Sequence, residues 1–357
     1  MNDDLVVTTP LINRCPLPQF GHRHINLGRK IFWALRQIFT HSAFLAATAL
    51  WSAQGSPSVV DYHVHYFSPE VVAAIEGNGF DFSGSDYQFA VGRDFYEVDR
   101  ILDNNEATKM VLLSGGFNYH FDDPAQERKA VERENDRLAA AVAADRDRLY
   151  GFCGLDPLEE WALHEAERCV HDLGLHGVKL HLPISGVDLA RPDHVTRMET
   201  FLGFCAANEI PVLVHNSTDS LPGNEYAGVF IDAFLDESEP LTVVFAHAGG
   251  ASSFGEFTVE FLDLFAESFQ SGRIPRRHQI YFELSAFLAP ERIGSDRSIP
   301  ELRRLVTEIG ASRFLFGSDY PMRSSERYLE ELSAQLELDP GILAGILRRD
   351  LFAEPDG

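Results

Sequence analysis

The chain has 357 residues, 45% of them hydrophobic, and a net charge of −24 from 30 basic and 54 acidic side chains. That size and apolar fraction exclude a disordered segment or a small stapled scaffold, and the acidic balance excludes nonspecific nucleic-acid binding, which needs a basic face. Four scattered cysteines (Cys15, Cys153, Cys169 and Cys205) with no Cys-x-x-Cys pair predict buried free thiols, not a disulfide framework or a thiolate zinc site.

In chain order, residues 1–57 stand apart. They carry a charge of +3, with no acid between Asp4 and Asp61, against −27 for the remainder. So sharp a break marks a boundary, which gives an N-terminal extension, 1–57, and a body, 58–353. The cleanest apolar run, Ala43 to Trp51, is too short to span a bilayer. With a basic flank before it and small residues near Ser52-Ala53 after it, the segment has the layout of a targeting peptide. The same residues fit an amphipathic helix, Gly28 to Ala53, packed on the body or lying on a membrane surface. The expected location is the cytoplasm, with export or membrane association through residues 28–53 as the alternative.

From Val59 onward, short β-branched or apolar runs alternate with longer helix-period stretches. The predicted strands are Val59–His63, Lys109–Leu113, Leu149–Leu155, Gly177–His181, Pro211–His215, Thr242–His247, Gln279–Ser285 and Arg313–Gly317. The predicted helices are Gln126–Ala144, Glu159–Leu173, Pro192–Asn208, Glu225–Leu235, Phe254–Phe269, Ile299–Ile309 and Ser325–Leu336. Repeated strand-then-helix units predict a parallel sheet with helices outside it, and closing eight of them gives a (β/α)8 TIM barrel. No Gly-x-Gly-x-x-Gly opens the first helix, which disfavours a dinucleotide-binding sheet. The Gly-spaced, aromatic-rich stretch Tyr66–Asp99 reads as an insertion, either a lid or a loop packed on itself.

Polar residues gather at the predicted strand ends. In Asp61-Tyr62-His63-Val64-His65, positions i and i+2 share a face. His63 and His65 therefore stand about 7 Å apart at their backbones, within reach of one metal. His181, His215 and His247 end successive strands, and Asp319 follows the last. Residues so spaced converge on the catalytic end of a barrel.

These segments resemble the amidohydrolase superfamily, in the amidohydrolase-2 branch that includes aminocarboxymuconate-semialdehyde decarboxylase. The matching motifs are Asp61-Tyr62-His63-Val64-His65, Gly151 to Pro157, Gly177-Val178-Lys179-Leu180-His181, Pro211 to His215, Val244 to Gly250 and Phe316 to Pro321. They cover the body and none of residues 1–57. The resemblance implies one divalent metal, most often zinc, on His63, His65, His215 and Asp319, with His247 as the catalytic histidine beside it. A zinc-bound water with a pKa near 7 would supply hydroxide. Asp319 would shuttle its proton, and His247 would polarise the substrate or hold the hydroxide.

Lys179 shares a strand face with His181. Carboxylated, it would bridge a second metal, with His215 and His247 sharing that ion. The branch resemblance implies one metal, and Lys179 is then an amine facing a substrate carboxylate or pairing with Asp61 or Glu283. His181 and Asn216 complete the expected substrate contacts. Asn118, Tyr119, His120, Glu283, Ser285 and Arg323 also stand near strand ends, with solvation as the default for each. Ile342–Leu351 resembles the family's closing helix, with Arg349-Asp350-Leu351-Phe352 where Asn-Ala more usually precedes Leu-Phe.

The leading expectation is a metal-dependent hydrolase acting on a small carboxylate-, amide-, ester- or lactone-containing molecule. A non-oxidative decarboxylase of an unsaturated or aromatic acid is the runner-up, and a noncatalytic barrel comes third. A homodimer is compatible with either enzyme.

Overall fold

Eight strands pair in parallel, in the order of the sequence: β1 (Val60–Tyr66), β2 (Lys109–Ser114), β3 (Leu149–Gly154), β4 (Gly177–His181), β5 (Val212–His215), β6 (Thr242–Phe245), β7 (Gln279–Glu283) and β8 (Phe314–Leu315). The computed structural model describes residues 58–77, 79, 96–216, 220–235, 239–250, 254–286 and 298–353. All of these belong to the compact unit Trp51–Gly357. The predicted N-terminal helix and residues 78 and 80–95 of the predicted Gly-aromatic loop lie outside the described residues, and the start of that loop, Pro69–Gly77, is helical. Among the described residues, no helix is long and apolar enough to cross a membrane.

The sheet closes on itself at β1 and β8. The Tyr62 amide donates to the Phe316 carbonyl at 2.9 Å, the Asp319 amide to His63 at 2.9 Å, and the His65 amide to Tyr320 at 2.7 Å. These bonds complete the predicted (β/α)8 barrel. Strand alternation sorts side chains into two apolar cores. Val60, Tyr62, Val111, Leu113, Phe152, Leu213, Val244 and Leu315 fill the barrel interior, while Val64, Leu112, Val178, Leu180, Val214 and Phe282 pack outward under the helices. Burial on both faces is why these strands read as near-continuous apolar runs.

The helices around the barrel are α1 (Pro69–Gly77), α2 (Val98–Asp103), α3 (Pro124–Ala144), α4 (Ala162–Glu167), α5 (Pro192–Ala207), α6 (Gly223–Phe234), α7 (Glu256–Ser271), α8 (Ser298–Ile309), α9 (Ser325–Leu336) and α10 (Pro340–Arg348). In α3, Asp123 caps the Ala125 amide, Pro124 opens the first turn, and Ala130, Val131, Leu138, Ala141 and Val142 form the buried stripe. Capping and a stripe at three- and four-residue spacing are what hold such a helix on a sheet.

Several sequence expectations change. The predicted helix Glu159–Leu173 begins only at Ala162 and continues past Glu167 as a π-helical turn, Arg168–Asp172. The predicted sixth strand stops at Phe245, and Ala246–Gly249 forms a tight turn. The thiol expectation is overturned for two cysteines. Cys153 on β3 and Cys169 in the π-helical turn form a disulfide across 16 positions of sequence, because strand and helix pack directly on each other. Cys205 is free and buried, as expected, and Cys15 lies outside the described residues.

The tail plugs the barrel at the end opposite the site. Tyr62 donates its hydroxyl to the Arg349 carbonyl at 3.0 Å and accepts from the Leu351 amide at 2.7 Å. Asp350 pairs with Lys109 at 2.7 Å and accepts from Tyr150 at 3.0 Å. The Phe352 ring lies 4.8 Å from Tyr150 and 5.8 Å from Phe152. The unusual Arg-Asp ahead of Leu-Phe thus supplies an anchoring carboxylate.

Candidate metal and catalytic site

Two backbone devices aim the histidines of β1. A register shift between Asp61 and Val64 interrupts the pairing with β2, and such irregularities re-aim side chains at barrel rims. Asp61, fully buried, then accepts from the His63 amide at 3.0 Å, the Ser318 amide at 2.9 Å and Asn105 Nδ2 at 3.0 Å. It thereby ties the start of β1 to the segment that follows β8. Burial pushes the Asp61 carboxyl up to about 6, although these donors oppose the rise.

Asp319 Oδ1 lies 3.0 Å from His65 Nε2 and 3.4 Å from His63 Nε2. These three side chains present ligand atoms within 4.8 Å of one another, all of them buried. Among the described residues, His63 Nε2 and His65 Nδ1 have no hydrogen-bond partner. Two imidazoles, a carboxylate and an unpartnered buried ring nitrogen suit a divalent cation. Burial alone would raise the Asp319 pKa. Its hydrogen bond to His65 and the imidazoles of His63 and His247 outweigh that and hold it well below the ordinary carboxylate range. Asp319 is therefore an anion ready to ligate.

His215 pairs in register with His181 at the ends of β5 and β4. Their rings stack with centroids 4.1 Å apart. His215 stands outside the close trio and reaches the centre through His247, whose Nε2 lies 3.1 Å from His215 Nδ1. Burial lowers the pKa of His63, His181, His215 and His247, which keeps these imidazoles neutral, as metal ligands must be. His247 and Asp319 both adopt left-handed backbone, with φ of 52° and 68°. For non-glycine residues this costs about 1–3 kcal/mol each and collects at functional positions.

Two residues given solvation as the default carry the site's internal wiring. Glu283 and Ser285 are fully buried. Glu283 Oε1 accepts from His63 Nδ1 at 2.7 Å, the His247 amide at 2.8 Å and Ser285 Oγ at 2.8 Å. The signal in the sequence was the i, i+2 spacing of Glu283 and Ser285 at a strand end, the same pattern that singled out His63 and His65. Gly317 is required beside them, because a Cβ there would strike the Glu283 carboxylate. Asn216, also buried, donates its side-chain amide to the Gly249 carbonyl at 2.9 Å. It thus braces the turn after His247, and its Oδ1 has no partner among the described residues.

Lys179 is fully buried, and among the described residues its ammonium has no hydrogen-bond partner. Neither of the pairings weighed from sequence forms. Asp61 is occupied with amides, and Glu283 acts on Lys179 only at longer range. Lys179 pairs in register with Leu213, a barrel-interior residue, so it faces the lumen beneath His181. Burial lowers its pKa to about 8, opposed by Glu283 and Asp319, and it remains mainly an ammonium at neutral pH. Aromatic rings edge the group, with Phe67 centred 4.7 Å from His65 and Phe117 5.1 Å from His181.

A family model described as amidohydrolase, in the amidohydrolase-2 branch, matches residues 60–349. No curated protein sequence matches the chain. Among solved structures, 2,6-dihydroxybenzoate decarboxylase from Rhizobium is 19% identical, with 82% of this chain and 96% of that one covered and a TM-score of 0.56. Dihydroxybenzoic acid decarboxylase from a Polaromonas species, with bound manganese and the inhibitor 2-nitroresorcinol, is 19% identical, with 82% and 94% covered and a TM-score of 0.56. 5-Carboxyvanillate decarboxylase from Novosphingobium aromaticivorans, with bound manganese, is 15% identical, with 82% and 95% covered and a TM-score of 0.54. At these identities the likeness establishes the shared barrel. The family model spans nearly the whole barrel, from β1 to the closing helix, and the chain belongs to the amidohydrolase family.

Proposed function

We propose that the chain is a metal-dependent non-oxidative decarboxylase of a small aromatic or unsaturated carboxylic acid. This reverses the order expected from sequence, where a hydrolase came first. The observation that carries the reading is Lys179, a lumen-facing ammonium with no hydrogen-bond partner among the described residues. A buried cation without a partner is costly, and a substrate carboxylate would relieve it. The aromatic-acid decarboxylases among the similar structures support the same reading.

His63, His65 and Asp319 would hold the cation, with His215 as the fourth ligand expected from the family motif. The fit rests on the trio's geometry and on the unpartnered His63 Nε2. Manganese in two of the similar structures makes it a choice as good as the zinc expected from sequence. A divalent cation would supply Lewis-acid polarisation of substrate oxygens. Lys179 would orient the carboxylate, and Phe67 and Phe117 would flank a planar substrate. When CO2 leaves, the bonding pair stays on the substrate carbon and a proton must replace the lost carboxyl. His247 and Asp319 are the groups that handle that proton.

The test is a panel of acids, including 2,6-dihydroxybenzoate and 5-carboxyvanillate, run beside amides, esters and lactones with manganese- or zinc-loaded protein. CO2 release from an acid is expected. Cleavage of an amide, ester or lactone with no CO2 from any acid would overturn the proposal in favour of hydrolysis.

The Cys153–Cys169 disulfide also favours the export alternative over a cytoplasmic location, because disulfides persist in oxidising compartments. Mass spectrometry of the native protein is expected to find its N-terminus beyond Ala53. An intact Met1 or Asn2 terminus with both cysteines reduced would return the protein to the cytoplasm.

A further inference from the structure

We propose that Glu283 is a positioning residue whose single oxygen, Oε1, fixes the imidazoles of His63, His247 and His215 as Nδ1–H tautomers, leaving Nε2 of His63 and His215 as lone pairs for the cation. The inference rests on the ligand assignment above and asks how these rings come to offer lone pairs at all.

Glu283 Oε1 already takes the His247 backbone amide, a group that can only donate, at 2.8 Å, so this oxygen serves as an acceptor. At 2.7 Å from Glu283 Oε1, His63 Nδ1 must therefore carry the proton. The Ser285 hydroxyl has one proton, which it gives to the same oxygen at 2.8 Å. Its oxygen, 2.7 Å from His247 Nδ1, must then accept. A second contact agrees. The Ser285 carbonyl, which can only accept, lies 3.3 Å from the same nitrogen. His247 Nε2 is thus unprotonated, and His215 Nδ1, 3.1 Å away, is the donor to it.

Every proton in this chain points toward one carboxylate: His215 to His247, His247 to Ser285, Ser285 to Glu283, with His63 joining directly. The result is the tautomer that metal ligation requires. Reversed, the ring protons of His63 and His215 would sit on Nε2. At His63 that proton would point toward Asp319 Oδ1, 3.4 Å away, and would take the lone pair that a cation would need. Glu283 also accepts from the His247 amide at 2.8 Å. One side chain thereby holds the left-handed backbone of that residue as well as its ring.

The test is ring 15N–1H correlation spectroscopy on the full-length, 15N-histidine-labelled protein, metal-stripped and zinc-loaded, with each ring assigned from a His→Asn variant. His63, His215 and His247 are expected to show the Nδ1–H pattern in the metal-stripped state. Ser285→Ala cuts one branch only, so His247 and His215 should lose their fixed tautomer while His63 keeps it. Glu283→Gln should disturb all three and weaken manganese binding by about 10–100-fold, the usual cost of losing an outer partner of a metal ligand. A merely structural role would not separate the branches in this way. An Nε2–H pattern at His63 in the unaltered protein, or unchanged His247 signals in Ser285→Ala, would overturn the proposal. None of these readouts needs a substrate. Correct tautomers in a protein that releases no CO2 would count against the decarboxylase reading alone.

Discussion

At the scale of single residues, the proposed site separates groups that would hold a cation from groups that would act beside it. His65→Ala removes a member of the close trio, and metal and turnover should be lost together while the circular-dichroism spectrum keeps its barrel signature. His247→Asn should retain near-normal metal content by elemental analysis, with kcat lower by roughly 10²–10³-fold, the usual effect of removing a group that acts in the transition state. If metal and activity fall together, His247 is a ligand and a two-metal arrangement with carboxylated Lys179 is the better account. Lys179 gives a pH signature. Its ammonium is present below about 8 and lost above it, so KM for the acid should rise as pH passes that value. In Lys179→Arg, which stays charged, that rise should disappear. The histidines and Asp319 were legible because strand alternation and unit spacing bring them to one end. Glu283 was harder, since solvation was its default at a strand end, whereas Lys179 was already placed on the face of His181 with its partner left open. Only the closed barrel shows Glu283 gathering protons from three directions, and Lys179 without the Asp61 or Glu283 partner that sequence offered it.

At the scale of elements, strand positions followed from composition, whereas strand ends did not. β8 has only two residues in the ladder, yet Gly317, Ser318 and Asp319 form the rim that carries the site. Hydrogen bonds from β1 and the Asp61 carboxylate set that rim, and these are contacts between opposite ends of the chain. The disulfide was hidden for a similar reason. A spacing of 16 matches no short motif, and the pairing depends on where the π-helical turn lies against β3. Closing a loop of that size stabilises a fold by about 3 kcal/mol in the chain-entropy account. Cys169→Ser should lower the unfolding free energy by roughly that amount in nonreducing urea titrations. An unchanged midpoint would mean that the bond contributes nothing to the native balance.

At the scale of the whole molecule, the barrel has a chemical end and a sealed end. Residues 349–352 close the latter through Tyr62, Lys109, Tyr150 and the Phe352 ring. The repeated strand–helix alternation made the architecture legible. The tail's role was not, because a two-residue departure from the family's usual ending reveals nothing until its aspartate meets Lys109. Residues 1–57 contribute no proposed site residue, and a chain beginning near Pro57 should keep its metal and turnover. Loss of metal on that truncation would make the extension part of the barrel's packing.

The central claim is that this site replaces a carboxyl group with a proton. The most direct measurement is turnover of the best acid from the panel in D2O by metal-loaded protein, followed by mass spectrometry of the product and quantification of CO2. The account predicts one CO2 per acid consumed and a single deuterium on the carbon that lost it, with both signals absent in His65→Ala. Substrate consumed with no CO2, or CO2 released at an undiminished rate by His65→Ala, would contradict it.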